Sequence, residues 1–265
     1  MGAILLGGVL QIPADAAGLN AQDEPKGGGR STAHGSLTVA TWNIGRGTLA
    51  EARRALSQSP VLALQEAADR SKLIRALDRS RYRVIKGSGR PGQSSTPIVF
   101  DPKVLRLARP VAILVARAQR VGRGTGPDRM KAKWLIGGRF VHRPTGTRLF
   151  IGTTHLVAGQ SRQRRARVAT RHVRHVVSRL RRVAGIRLVM GDFNTRPRSK
   201  VLVPLRAAGW TSDQIVGRRL DTHGTWAPDQ VWWKPARGLR LVEHHTTSNR
   251  SDHDALFATL TLPSR

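Results

Sequence analysis

Short apolar runs and amphipathic segments alternate along the chain, as in proteins built from both strands and helices. We predict a strand wherever a run rich in β-branched and aromatic residues is too short to form a helix. The predicted strands cover 36–45, 61–66, 82–86, 97–100, 133–142, 147–156, 188–190, 229–233 and a final one within 251–262. Residues 133–142 and 147–156 flank the turn sequence PTG, which predicts a hairpin.

Four segments carry helix formers or helical spacing of apolar residues. The predicted helices cover 48–58, 69–79, 161–184 and 199–207. The apolar positions of the third helix are Ala169, Val173, Val176, Leu180 and Ala184, and Arg covers its other faces. We expect this helix to cover a sheet with its Arg side in solvent, and the alternative is an Arg face that binds phosphates.

Strands recur to the end of the chain without an internal repeat, so we predict one α/β domain over residues 37–265 with substantial antiparallel content. Residues 1–36 form a separate leader and flexible linker. The leader MGAILLGGVLQIPADAAG resembles the apolar region and cleavage site of a signal peptide, but it lacks a basic start and is too short to span a bilayer. Secretion is therefore the prediction, and a cytoplasmic tail is the alternative.

The charge balance is strongly basic. Lys and Arg total 46 against 16 acidic residues, which gives a net charge of +30. Such a field attracts polyanions such as nucleic acid or an anionic membrane surface. A GC-rich genome also tends to encode Arg at tolerant surface sites, which accounts for much of the excess, so the charge supports a polyanionic substrate without proving one. The chain contains no Cys, which excludes disulfides, thiolate zinc sites and cysteine nucleophiles.

Residues 116–132 are Gly-rich and basic, so we predict a substrate-facing loop. Its candidates for phosphate contacts are Arg117, Arg129, Lys131 and, directly after it, Lys133.

Polar side chains mark the ends of several predicted apolar strands. Asn43, Glu66, His155 and Asp192 each follow such a run, and Asp252 precedes one. Polar groups at an apolar rim need partners, and a divalent cation with a phosphate as outer ligand would supply them. Oxygen ligands favour Mg²⁺ or Mn²⁺ over zinc. For Asp192 and Asn194 in the sequence GDFN, an ordinary Asx turn is the alternative.

Five short motifs stand in one order along the chain: WN at 42–43, LQE at 64–66, THL at 154–156, GDFN at 191–194 and SDH at 251–253. Each alone is weak, but together they resemble the endonuclease/exonuclease/phosphatase family, which includes the DNase I-like nucleases, over about residues 38–262. The resemblance implies an α/β fold of the α+β type: a four-layer αββα sandwich of two mainly antiparallel sheets flanked by helices.

The resemblance also implies a metal site. Asn43 and Glu66 match the metal-site pair of the family, with Glu66 as the direct Mg²⁺ ligand. Asp252 resembles a second carboxylate associated with the metal. Mg²⁺ is therefore the expected cofactor, with Mn²⁺ as a substitute.

The resemblance also implies catalytic roles for five residues. Asp192 resembles the carboxylate that activates the attacking water, and Asn194 resembles the amide that holds the phosphate. His253 resembles the essential imidazole, either a general base or a phosphate-stabilising group. His155 matches a second His that protonates the leaving oxygen or binds a phosphate oxygen. Asp229 is assigned to orient His253.

Other residues have weaker context. Asp221 is the rival of Asp229 as the partner of His253. Trp232 and Trp233 are expected in the core, with stacking on a base or a lipid as the alternative. The four histidines expected at the surface are His172, His175, His244 and His245. The sole Tyr, Tyr82, lies outside the motifs, which argues against the abasic-site branch of the family and favours the arrangement with two His.

These features predict a metal-dependent phosphodiesterase, with a nuclease ranked first. The alternatives are a phosphoesterase that acts on a phospholipid head group or a soluble phosphomonoester and, more distantly, a nucleic-acid-binding protein without catalysis. We expect a monomer with no integral membrane contact.

Overall fold

The computed structural model describes residues 35–122 and 128–263. The predicted leader and almost all of the linker fall at 1–34, outside the described residues, and so does the centre of the predicted loop at 123–127.

Fourteen strands and five α-helices form within the described ranges. The strands are β1 Gly35–Asn43, β2 Val61–Gln65, β3 Arg83–Ile85, β4 Ile98–Phe100, β5 Leu105–Ala116, β6 Gln119–Arg120, β7 Arg129–Met130, β8 Lys133–His142, β9 Arg148–Thr153, β10 Ile186–Asp192, β11 Thr211–Ser212, β12 Asp229–Trp233, β13 Leu241–Thr247 and β14 Ala255–Leu262. The helices are α1 Leu49–Gln58, α2 Ser71–Asp78, α3 Gln163–Leu180, α4 Val203–Ala207 and α5 Asp213–Val216.

Two six-stranded sheets dominate the structure. The first has the order β13-β14-β1-β2-β4-β3, the second has the order β11-β12-β10-β9-β8-β5, and β6 and β7 form a separate ribbon. The pairs β1–β2 and β9–β10 are parallel, and the remaining pairs are antiparallel. The predicted mainly antiparallel character of both sheets is thus confirmed.

The sheets pack face to face and carry helices on their outer faces. Val39 of the first sheet and Met190 of the second belong to the apolar core between the sheets. On the outer face of the first sheet, Trp42 packs in one cluster with Leu56 of α1. On the outer face of the second, α3 packs through residues such as Val173. The predicted four-layer αββα sandwich is confirmed, and each fully buried aliphatic side chain in it contributes about 1.5–3 kcal/mol.

Helix α3 covers its sheet as its apolar spacing predicts. Four of its five predicted core positions are buried, but Ala184 is exposed. The prediction for Ala184 is wrong because the helix ends at Leu180 and Gly185, with a φ of 85°, turns the chain into β10. Most of the Arg side chains are in solvent, but Arg165 is buried and donates to the carbonyl groups of Gly122 and Ala158.

Three further stretches differ from the sequence-based expectation. The ribbon of β6 and β7 occupies part of the segment predicted as a loop, and β5 and β13 were not predicted. Both strands lie at sheet edges: β13 is mostly polar, whereas β5 carries the apolar run VAILVA, but Arg106, Arg109 and Pro110 interrupt the strand pattern before it. The predicted helix at 199–207 is a 3₁₀ turn at Lys200–Leu202 that continues into α4.

Among the described residues, none of the helices is both long enough and apolar enough to cross a bilayer.

Candidate active site

The topology gathers the polar strand ends at one edge of the sandwich. The parallel strands β1 and β2 finish there, as do β9 and β10. Strand β14 runs antiparallel to β1 and β12 antiparallel to β10, so both begin at that edge. The side chains delivered to the edge are those of Asn43, Glu66, His155, Asp192, Asn194, Asp229, Asp252 and His253. The site is therefore built by side chains from both sheets. One example is the contact between Asn43 of β1 and Asp192 of β10.

Asp192 is the centre of this group and is buried. Its Oδ2 accepts hydrogen bonds from Nδ2 of Asn43 at 3.2 Å and Nδ2 of Asn194 at 3.1 Å, and it lies 3.3 Å from Nε2 of His155. Burial alone would raise the pKa of Asp192, but the hydrogen bond and charge of His155 and the charge of His253 hold it well below its usual range. The carboxylate therefore stays ionised at neutral pH.

Asn194 has a left-handed backbone with a φ of 50°, and its N–H donates to Oδ1 of Asp192 at 2.7 Å. This is the local turn contact that the sequence offered as the alternative to a site. The side chain of Asn194 nevertheless reaches Nε2 of His155 at 3.0 Å. The turn and the polar cluster are the same structure, because the turn aims the amide at the cluster.

His253 is held by a buried carboxylate. Its Nδ1 lies 2.7 Å from Oδ2 of Asp229, which also accepts a hydrogen bond from the hydroxyl of Thr222 at 2.7 Å. Burial of the ring would lower the pKa of His253, but the hydrogen bond and charge of Asp229, with further charge from Asp192, raise it to about 9. Burial in turn raises the pKa of Asp229. The rival Asp221 is exposed and pairs with Arg219.

Two of the predicted metal ligands, Glu66 and Asp252, line one recess, and Gly45, two residues after Asn43, lines it as well. Oδ1 of Asn43 is buried, and none of the described residues offers it a hydrogen-bond partner. Glu66, with a φ of 55°, faces a recess of about 760 Å³ that it shares with Asp252. An orphaned amide oxygen beside two carboxylates fits a hard divalent cation, because such ions take oxygen ligands.

One of the four basic candidates enters the site. Burial lowers the pKa of Lys133 to about 8, while the negative charges of Asp192 and Glu66 raise it. Lys133 therefore lies within electrostatic reach of both carboxylates, whereas Arg117, Arg129 and Lys131 are exposed.

Two of the histidines expected at the surface are buried, so those predictions are wrong. His172 lies under the site with Nε2 2.8 Å from the hydroxyl of Thr154, and burial holds its pKa well below the usual value. Its spacing from Ala169 and Val176 on the inner face of α3 was the signal for burial. The side chain of His244 is 6% exposed, and its Nδ1 lies 3.3 Å from Oδ2 of Asp213. No motif context pointed to this pair.

The other two histidines differ from each other. His175 is exposed, as expected, and its Nδ1 bonds the carbonyl group of Val115. His245 is half-buried and stacks on Phe257, so the surface prediction holds only in part. Trp232 and Trp233 are both buried, which confirms core packing over stacking on a ligand.

Sequence reasoning missed a pocket of about 960 Å³ next to Asn194 and His253. His223 and Trp226 line it. The side chain of His223 packs on His253 with 4.4 Å between ring centres, and Trp226 is 50% exposed with the guanidinium of Arg196 at 5.8 Å from its ring centre. Both residues stand in a stretch without a motif, so only the fold reveals them.

Comparison with known proteins by sequence gives no match to a family model and none to a curated protein. Comparison by structure gives many matches. An endonuclease/exonuclease/phosphatase from Bacteroides vulgatus aligns with a TM-score of 0.66 and 16% identity, over 85% of this chain and 98% of that one. D. rerio TDP2, in a complex with single-strand DNA product, aligns with a TM-score of 0.64 and 17% identity, over 85% and 98%. A mannosyl-6-phosphatase from Bacteroides thetaiotaomicron aligns with a TM-score of 0.63 and 13% identity, over 85% and 100%.

The fold is therefore that of the endonuclease/exonuclease/phosphatase proteins, the DNase I-like fold, as the motif order implies. At these identities the likeness concerns the fold, and the chemistry has to be argued from the residues of this chain.

Proposed function

We propose that the protein is a metal-dependent phosphodiesterase, and specifically a nuclease that hydrolyses nucleic-acid phosphodiester bonds by in-line attack of water. The observation that carries this proposal is the buried, ionised carboxylate of Asp192. It lies between the amides of Asn43 and Asn194, 3.3 Å from Nε2 of His155 and 4.0 Å from Nε2 of His253. This arrangement provides a carboxylate that can prepare the attacking water and an imidazole that can protonate the leaving oxygen.

Mg²⁺, or Mn²⁺ in its place, is the proposed cofactor. Glu66, Oδ1 of Asn43 and Asp252 would hold it, because the two carboxylates share one recess and Oδ1 of Asn43 has no hydrogen-bond partner among the described residues. When bound, the ion supplies Lewis acidity that stabilises the negative charge of the phosphate.

The remaining roles in the reaction are assigned to five side chains. Asp192, which its depressed pKa keeps ionised, orients the attacking water as a hydrogen-bond acceptor. It takes the proton of that water only as the bond to phosphorus forms, when the water oxygen becomes acidic enough for a weak base. The raised pKa of His253 makes it an imidazolium at neutral pH, which favours stabilisation of the phosphate over general-base action. Asn194 holds a phosphate oxygen through its amide, and His155 protonates the leaving oxygen. Asp229 orients the ring of His253 through Nδ1.

The shape of the site favours a diester over a monoester. The recess of about 760 Å³ beside Glu66 is lined by Arg46, Arg70 and Arg250. The pocket of about 960 Å³ on the side of His253 is lined by Arg196 and Arg198. Arg side chains thus flank the centre in both directions, although the first recess also holds three acids, and the net charge of +30 suits a polyanion.

Trp226 supplies a surface for a base in the second pocket. Its half-exposed ring lies beside the catalytic cluster with Arg196 next to it. Exposed aromatic rings flanked by Arg bind unpaired bases by stacking. The DNA product in the D. rerio TDP2 structure supports a nucleic-acid substrate for this fold, while the mannosyl-6-phosphatase keeps a phosphomonoester as the alternative to be tested.

The sequence feature that favoured a lipid substrate was the pair Trp232 and Trp233. Both side chains are buried, so they do not support that alternative. We further propose that the protein is a monomer and that it acts outside the cell. A cytoplasmic location is the alternative.

The test is cleavage of supercoiled plasmid and of a single-stranded oligonucleotide in Mg²⁺, in EDTA and by Asp192→Asn protein. Metal-dependent cleavage that the variant lacks supports the proposal. Mannose 6-phosphate is assayed in parallel by phosphate release. Turnover of the monoester without cleavage of either nucleic acid contradicts the nuclease proposal, and binding without any turnover contradicts catalysis.

A further inference from the structure

His223, Asp252 and His253 form a second group of metal-ligating side chains at the rim of the site. One ligand atom from each lies within 4.8 Å of the other two. This set shares Asp252 with the oxygen donors proposed for Mg²⁺, but its other two members are imidazoles, and His223 has no place in the proposed hydrolysis.

The two rings are oriented by neighbouring groups. Asp229 holds Nδ1 of His253, so Nε2 is the nitrogen that remains for a ligand. Nδ1 of His223 lies 2.8 Å from the backbone carbonyl oxygen of Asp252 and 3.9 Å from its Oδ2. Since a carbonyl group only accepts, this nitrogen carries the proton and Nε2 of His223 is free. The ring centres of His223 and His253 lie 4.4 Å apart, and Oδ2 of Asp252 lies 3.9 Å from Nδ1 of His223, so the three side chains lie together at the rim of the site.

We propose that His223, Asp252 and His253 bind a borderline transition-metal ion, with Zn²⁺ as the reference case. Two imidazoles and a carboxylate are a donor set that Zn²⁺ accepts and that Mg²⁺ does not favour. Ligands about 2.1 Å from a common ion lie about 3.0–3.5 Å apart, so the three side chains must close by about 1 Å. His223 and Asp252 can make this movement, because their side chains are 45% and 71% exposed.

The ion would use Nε2 of His253. That nitrogen is the one that faces Asp192 and, under the proposed function, donates to the phosphate. Zn²⁺ therefore inhibits hydrolysis by occupying Nε2 of His253, which is then no longer available to the phosphate. This consequence rests on the proposed function, whereas metal binding itself does not.

The experiment is calorimetric titration of the full chain with Zn²⁺ in buffer without Mg²⁺, because Mg²⁺ would compete for Asp252. Wild type is compared with His223→Ala and with His175→Ala, which removes an exposed His from α3. We expect one Zn²⁺ site in wild type and in His175→Ala, and affinity at least about tenfold weaker in His223→Ala. Circular dichroism verifies that all three proteins are folded.

Equal Zn²⁺ affinity in wild type and His223→Ala overturns the proposal, and so does absence of Zn²⁺ binding by wild type. If a substrate is hydrolysed, the Zn²⁺ concentration that halves the rate is measured relative to the uninhibited rate of each protein. It should rise at least about tenfold in His223→Ala. If no substrate is found, the proposed function fails, and the titration still decides the metal site.

Discussion

Asp229 holds Nδ1 of His253 at 2.7 Å, although Asp229 begins β12 of the second sheet and His253 lies two residues before β14 of the first. The hydroxyl of Thr222 binds the same carboxylate oxygen and fixes its direction. The pair therefore locks the imidazole of His253 with Nε2 toward Asp192. Four predictions follow from the geometry of this edge of the sandwich.

Asp229→Asn should lower kcat by about 10³- to 10⁴-fold, because an amide can neither stabilise the imidazolium nor fix the tautomer as a carboxylate does. Steady-state hydrolysis of an oligonucleotide measures the change. Asp221→Asn is the matched control, since Asp221 is an exposed acid that pairs with Arg219, and its kcat should equal that of wild type. Equal losses of kcat in both variants would contradict the proposal that Asp229 orients His253.

The rate should also depend on pH through His253. Its pKa is raised to about 9, so the ring is charged below that pH and neutral above it. If the charged ring stabilises the phosphate, kcat holds through neutral pH and falls as the pH rises through about 9. In Asp229→Asn the fall should move to lower pH. A rate that increases through the same interval in wild type would instead identify His253 as a general base.

Glu66→Gln should weaken Mg²⁺ binding by about 10- to 100-fold, because it replaces a charged oxygen ligand with a neutral amide. Calorimetric titration with Mg²⁺ measures this without any substrate. Asp69→Asn is the control, since Asp69 is an exposed acid in the same recess. Similar weakening in both variants would mean that the recess attracts cations only by its overall charge.

Trp226→Ala should raise KM for a single-stranded oligonucleotide by about tenfold, since stacking on one base contributes about 1–3 kcal/mol. Hydrolysis of bis(p-nitrophenyl) phosphate, which has no base to stack, should change less. Val216→Ala changes another exposed apolar side chain and serves as the control. An unchanged KM for the oligonucleotide in Trp226→Ala would show that the base binds elsewhere.

The central strands could be predicted because both of their faces are buried. All residues of β2 and β12 are buried, and their sequences show it: β2 reads VLAL before Gln65, and β12 reads VWW after Asp229 and Gln230. The edge strand β13 is mostly polar and lacks that signal, and in β5 the residues Arg106, Arg109 and Pro110 interrupt it.

The sequence predicts a site residue only where that residue stands in a motif near the end of a predicted strand. Asp192 and His253 stand in motifs at strand ends, but the proximity of His223 to His253 depends on how the segment before β12 folds back against the residues before β14. Such a contact between residues 30 positions apart leaves no periodic pattern in the sequence. His172 did leave one, through its place on the inner face of α3.

The most direct test of the account is hydrolysis of an oligonucleotide in H₂¹⁸O, with mass spectrometry of the products. Attack of water on phosphorus, prepared by Asp192, predicts one ¹⁸O in the new terminal phosphate of each cleavage event, and no product from Asp192→Asn protein. Label in the sugar hydroxyl instead of the phosphate, or equal product from the variant, would contradict the mechanism assigned to this edge of the sandwich.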